Sequence, residues 1–171
     1  VPGSSDQVAV RLNHEINPCF LGLKDAILIT QTETKKMSSS SGHQLMNNHP
    51  YSTSRYRQAR ENLTLLLQAF TTVDEQLFIR IVENEALSLH AMMMTSSDGF
   101  TLMNENTWKI IDKIRQYRVD HPALIAFTLD AGPNVHCLCL QTDAAQVAAA
   151  LVSVPGVRDV RQAGVGGAAI V

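Results

Sequence analysis

The segment Phe127-Thr128-Leu129-Asp130-Ala131-Gly132-Pro133-Asn134 puts a carboxylate at the C-terminal end of an apolar run. Gly132 permits a tight turn or close backbone approach to a ligand. Pro133 fixes φ and removes a donor, and Asn134 supplies an acceptor and donors. A carboxylate that is partly desolvated there becomes a better base, because burial disfavours its charged form. The same residues also suit a plain strand–turn–strand in which Asp130 caps the turn. A second candidate is the polar stretch Lys35 to Gly42, which contains Ser38, Ser39, Ser40 and Ser41. A hydroxyl there can hydrogen-bond a phosphate or carboxylate oxygen. The competing reading is a solvated serine-rich loop.

The remaining polar residues point to less. His90 follows Leu89 on an apolar helical stretch and reads as a satisfied structural histidine. His136 reads as a strand residue between Val135 and Cys137. His14, His43, His49 and His121 show no metal spacing, so no metal ligand is assigned. Arg55, Arg57 and Arg60 lie near a helix start, where a solvated face competes with phosphate binding. Gly164-Val165-Gly166-Gly167 lacks the strand–loop–helix setting of a nucleotide fingerprint.

These residues must be positioned by a chain of 171 residues that is 45% hydrophobic and 18% charged, the balance of an ordinary globular protein. The net charge of −2 and the scattered basic residues give no nucleic-acid surface. Cys19, Cys137 and Cys139 form no disulfide framework, which fits a reducing compartment. Cys137 and Cys139 alternate, so they share one face of a strand. The start shows no basic segment followed by an apolar stretch. The most apolar segment, Ala144 to Val154, is too short to span a bilayer. A cytoplasmic location without membrane or nucleic-acid partners is expected. Val1-Pro2-Gly3-Ser4-Ser5 reads as a cut end.

Periodicity predicts a buried strand over Asp25 to Thr32. It predicts a helix from Arg55 to about Phe70, capped among Ser52, Thr53 and Ser54, with Tyr56, Ala59, Leu63, Leu66, Leu67 and Phe70 as its apolar face. Asp74 caps a second helix whose stripe is interrupted by Glu85. Asn106-Thr107 is expected to cap a third, carrying Trp108, Ile111 and Ile114. Strands follow at Ala123 to Leu129 and Val135 to Leu140. A short helix is expected over Ala144 to Val152, and a last strand starts in Val157 to Val160. Ala168 to Val171 is strand-like. The order β-α-α-α-β-β-α-β favours an α+β sandwich. Its tail resembles part of a ferredoxin-like arrangement.

Four ordered stretches together resemble one family. Asp130-Ala131-Gly132-Pro133-Asn134 looks like the Asp-Ala-Gly-Pro-Asn motif of diphosphomevalonate decarboxylases. Leu89-His90-Ala91 is similar to that family's Met/Phe-His-Ala. Met37-Ser38-Ser39-Ser40-Ser41-Gly42 is similar to its Val-Ser-Ser-x-x-Gly-Met loop. Thr53-Ser54 matches at the start of the next helix. The resemblance spans roughly Asp25 to Leu140. His43 stands where the family usually has Met, and Met92 to Phe100 replaces a more usual Pro-containing stretch.

The resemblance implies a GHMP kinase C-terminal domain over residues 25–171, with residues 1–24 as a remnant of the N-terminal domain or a linker. It implies ATP-dependent decarboxylation of (R)-5-diphosphomevalonate to isopentenyl diphosphate, with ATP and Mg2+ as cofactors. By the same resemblance Asp130 orients or deprotonates the substrate 3-hydroxyl, and Ser39 contacts substrate, with Ser38, Ser40 and Ser41 as weaker candidates. Gly132 and Asn134 support the turn. The family's phosphate-binding loop is absent from this sequence, so the chain alone is expected to be inactive. A homodimer is implied, and the N-terminal half is a candidate partner chain. Two alternatives stand beside this: a related kinase that does not decarboxylate, and a non-enzymatic ferredoxin-like binding module.

Overall fold

Strand residues alternate in direction, and the sheet here uses both faces. The computed structural model describes residue 8, residues 15–30 and residues 48–166. A single helical turn, α1 (Pro18–Leu21), leads into β1 (Leu23–Ile29). Three helices follow: α2 (Ser52–Thr72), α3 (Glu75–Met94) and α4 (Glu105–Asp120). Then come β2 (Ile125–Leu129), β3 (Val135–Leu140), α5 (Ala144–Val152) and β4 (Asp159–Gly164). The strands lie in the order β2-β3-β1-β4 with every pair antiparallel. After α1, the element order is the one the periodicity predicts.

One face of the sheet builds the larger core. Ala26 and Leu28, Ile125, Phe127 and Leu129, and Val135, Cys137 and Cys139 meet Ile110, Ile111 and Ile114 of α4 and Val147 and Leu151 of α5. Arg115 lies over the Phe127 ring, 5.4 Å from its centroid, and adds a cation–π contact. A smaller core joins Phe20 of α1, Ala69 of α2 and Phe78 and Ile79 of α3 to Leu124 and Ala126. Leu23, Leu138 and Leu140 pack against it from the other face of the sheet.

Edge strands expose unpaired backbone groups unless something covers them. On β2 that cover is an ion pair. Arg118 Nη1 meets Glu83 Oε1 at 2.6 Å and donates to the Ile125 carbonyl at 2.6 Å, while Glu83 Oε1 accepts the Phe127 N–H at 3.5 Å. The pair thus fastens α3 and α4 to the free edge. The other edge, β4, is nearly all exposed and polar. It starts at Asp159, within the expected Val157 to Val160, and runs to Gly164.

The helix ends differ from expectation in detail. The cap of α4 is Asn104, not Asn106-Thr107: Asn104 Oδ1 accepts the Thr107 N–H at 3.0 Å, and Thr107 Oγ1 accepts the Asn104 N–H at 3.1 Å. This reciprocal pairing is a capping box. Asn106 instead sits against Gly156, which has φ +97° and whose added Cβ would lie 2.2 Å from the Asn106 side chain. Tyr51 precedes α2 without a side-chain cap, and Ser52, Thr53 and Ser54, expected to cap it, lie inside the helix. Asp74 does cap α3, accepting the Leu77 N–H at 2.9 Å.

The interruption at Glu85 has a partner. Arg55 reaches it with both terminal nitrogens at 3.2 and 2.7 Å, and Asn62 donates to it at 2.7 Å. Arg55 is therefore not on a solvated face. The contact between α2 and α3 is largely polar along this stretch, which leaves Tyr56 and Leu63 of the expected apolar face exposed.

Candidate active-site turn

The turn between β2 and β3 is held by its backbone from three directions. From α3, buried His90 donates through Nε2 to the Asp130 carbonyl at 3.2 Å. A carbonyl only accepts, so this nitrogen carries the proton. Burial pushes the His90 pKa down, which keeps the ring neutral, although the bond to Asp130 opposes that shift. From α4, Thr107 Oγ1 donates to the Pro133 carbonyl at 2.7 Å. From the end of β1, buried Thr30 donates its N–H to Asn134 Oδ1 at 3.0 Å and its hydroxyl to the Pro133 carbonyl at 3.2 Å. Within the turn, the Gly132 N–H donates to the Asp130 carbonyl at 2.8 Å. The left-handed glycines among the described residues are Gly99 and Gly156, so this turn needs no positive φ at Gly132.

With its main chain fixed, Asp130 presents its carboxylate outward. The side chain is 79% exposed. The desolvation expected from its place at the end of an apolar strand is therefore not found in this chain: the strand is buried, but the residue after it emerges. One cationic candidate stands beside it. His136 Nε2 lies 3.6 Å from Asp130 Oδ2, an ion-pair contact just beyond hydrogen-bond range. His136 Nδ1 donates to Asp25 Oδ2 at 2.8 Å. That bond, against some opposing burial, raises the His136 pKa and favours the charged ring.

Asp130, Gly132 and Asn134 are thus gathered in one turn, with Asn134 spending its oxygen on Thr30. Ser38, Ser39, Ser40 and Ser41 lie outside the described residues, as do His14, His43 and Ala168 to Val171. Among the described residues, no group of three or more His, Cys, Asp or Glu side chains is arranged to hold a metal. His49 is buried, takes the Tyr51 N–H on Nδ1 at 3.1 Å and meets Thr95 Oγ1 at 3.0 Å, so it joins helix ends. No helix among the described residues is long and apolar enough to cross a membrane.

Sequence reasoning missed Thr30, Thr107, Asp25 and His136 at this site. One signal was available. His136 alternates with two cysteines, so it must face away from the core they enter.

Comparison with known proteins agrees with this fold. No match to the chain was found among curated proteins. Solved structures match closely in fold. Mevalonate diphosphate decarboxylase from Staphylococcus aureus superposes with a TM-score of 0.82 at 21% identity, over 95% of this chain and 49% of that one. The Legionella pneumophila enzyme gives 0.73 at 25% identity, over 89% and 47%. The Enterococcus faecalis enzyme, studied for mevalonate diphosphate mediated ATP binding, gives 0.77 at 20% identity, over 95% and 49%. The chain spans about half the length of these relatives. Residues 26–166 match the family model for the mevalonate 5-diphosphate decarboxylase C-terminal domain, and the chain belongs to that family.

Proposed function

We propose that this chain is the C-terminal part of an enzyme that decarboxylates (R)-5-diphosphomevalonate to isopentenyl diphosphate with consumption of ATP. The observation that carries the reading is the exposed Asp130 carboxylate on a turn whose backbone is tied to β1, α3 and α4. In this reading residues 25–171 are the C-terminal domain, and residues 1–24 lead in from the N-terminal domain.

A fixed carboxylate can do two things for a tertiary alcohol. It can orient the hydroxyl and accept its proton, which needs placement within hydrogen-bond reach. It can also stabilise the positive charge that develops on the carbinol carbon once the hydroxyl, phosphorylated at the expense of ATP, departs as phosphate; loss of the carboxylate as carbon dioxide then supplies the electron pair that quenches that charge. Both roles require a well-placed anion, and the clamped turn fixes the backbone that carries it. Ser39, with Ser38, Ser40 and Ser41 as weaker candidates, is proposed to contact the substrate. The described residues offer neither a phosphate-binding loop nor a magnesium cluster. Sites for ATP and Mg2+ are accordingly assigned to the N-terminal half, and no step is drawn through them. The isolated chain is expected to be inactive. Assembly as a homodimer in the cytoplasm belongs to the same reading.

The test restores the upstream half and supplies ATP, magnesium and (R)-5-diphosphomevalonate. ADP and carbon dioxide released in equal amounts support the decarboxylase. ADP without carbon dioxide would make the protein a kinase.

A further inference from the structure

Asp25, His136 and Asp130 form a chain of carboxylate, imidazole and carboxylate, brought together from β1, β3 and the turn. Asp25 Oδ2 accepts from Nδ1 at 2.8 Å, and Nε2 faces Asp130 Oδ2 at 3.6 Å. Asp25 and His136 are largely covered, 24% and 17% exposed, whereas Asp130 is 79% exposed. The two inner members are held, and the outer one meets the site. Because Nδ1 is the donor to Asp25, a neutral ring would turn the lone pair of Nε2 toward a second carboxylate. A charged ring turns an N–H toward it instead. Asp25 Oδ1 is buried and has no hydrogen-bond partner among the described residues, while Oδ2 takes the bond from His136.

We propose that His136 is a positioning residue for the active site: anchored by Asp25, its imidazolium holds the Asp130 carboxylate in place. This rests on the reading of Asp130 as the catalytic carboxylate. His90 fixes the main chain of Asp130 from α3, and His136 meets the carboxylate from β3. The rise in the His136 pKa caused by Asp25 agrees with the charged form. The ionisable groups that face His136 are few. From β1 there is Asp25, and from the turn Asp130. The cross-strand neighbour on β2 is Thr128, which does not titrate. Beyond Ile27, β4 carries Arg161, exposed and 3.5 Å from Asp159.

Turnover should then fall at alkaline pH as His136 loses its proton. The experiment measures kcat and KM across pH for the full-length enzyme, with His136→Gln, Asp25→Asn and Asp130→Asn. His136→Gln should lower kcat about tenfold or more with little change in KM, since misplacement of a reacting group acts on the chemical step. It should also remove the alkaline limb. Asp25→Asn, which keeps a hydrogen-bonding group but removes the charge, should move that limb to lower pH. An NMR titration of the His136 ring in the same proteins gives a readout independent of turnover, and its midpoint should fall in Asp25→Asn and in Asp130→Asn. A wild-type pH profile in His136→Gln, or an unmoved ring midpoint in both aspartate variants, overturns the proposal. If Asp130→Asn is inactive while His136→Gln behaves as wild type, only the positioning role is lost. If Asp130→Asn is fully active, the catalytic reading itself has failed.

Discussion

The two faces of β3 run opposite kinds of chemistry one residue apart. Val135, Cys137 and Cys139 enter the core shared with α4 and α5, while His136 stands between the first two of them on the other face and holds an ion pair. Both faces raise pKa values, with opposite meaning. Burial raises the thiol of Cys139 to about 11 and that of Cys137 further still, so both stay neutral. Hydrogen bonding to Asp25 raises the imidazole of His136, so it stays charged. A single strand with period two can therefore hold a dry wall and a charged support for a site, with the sheet itself as insulation.

The contrast breaks most severely on the dry side. Phe127→Ala removes a fully buried ring from beneath Arg115 and should cost about 3–5 kcal/mol in a denaturant titration. Glu83→Ala comes next. It strands Arg118 and uncovers the edge of β2, for a loss of about 3 kcal/mol. A much smaller loss would mean that the edge ion pair is only decorative.

The charged side is sharpened by pH. The folded pKa of His136 is raised, so the stability from its pair with Asp25 is fully present below the ordinary value of 6.5 and lost as pH rises through the folded value. The folded pKa of His90 is lowered, so its burial costs nothing above 6.5 and destabilises as pH falls toward the folded value. His136→Gln should flatten the alkaline decline in stability, and His90→Gln the acid one. Equal slopes in wild type and both variants would remove this distinction. The gentlest test leaves stability untouched. Alkylation of the native protein should label Cys19, which is partly exposed, and spare buried Cys137 and Cys139 until denaturant is added.

Much of this was legible in the residues. The alternation of Cys137 and Cys139 gave their shared face, and Asp130 to Asn134 gave the turn. What was not legible came from partners distant in sequence. Thr30 and Asn134 are 104 residues apart, Asp25 and His136 111. Local periodicity describes which way a side chain points, not what the fold brings opposite it. Glu85 looked like a defect in a stripe because Arg55, 30 residues earlier, was invisible as its partner. The capping box at Asn104 was displaced in the reading by the neighbouring Asn106-Thr107, since several adjacent polar residues can all cap.

The central claim is that the clamped turn exists to present the Asp130 carboxylate to a substrate. Its most direct test is carbon dioxide release by the full-length enzyme with Asp130→Asn, which keeps the shape and removes the charge. Turnover should fall by about a hundredfold or more, with the fold and the bonds from His90, Thr107 and Thr30 intact. Near wild-type release would contradict the claim and leave the turn as structure alone.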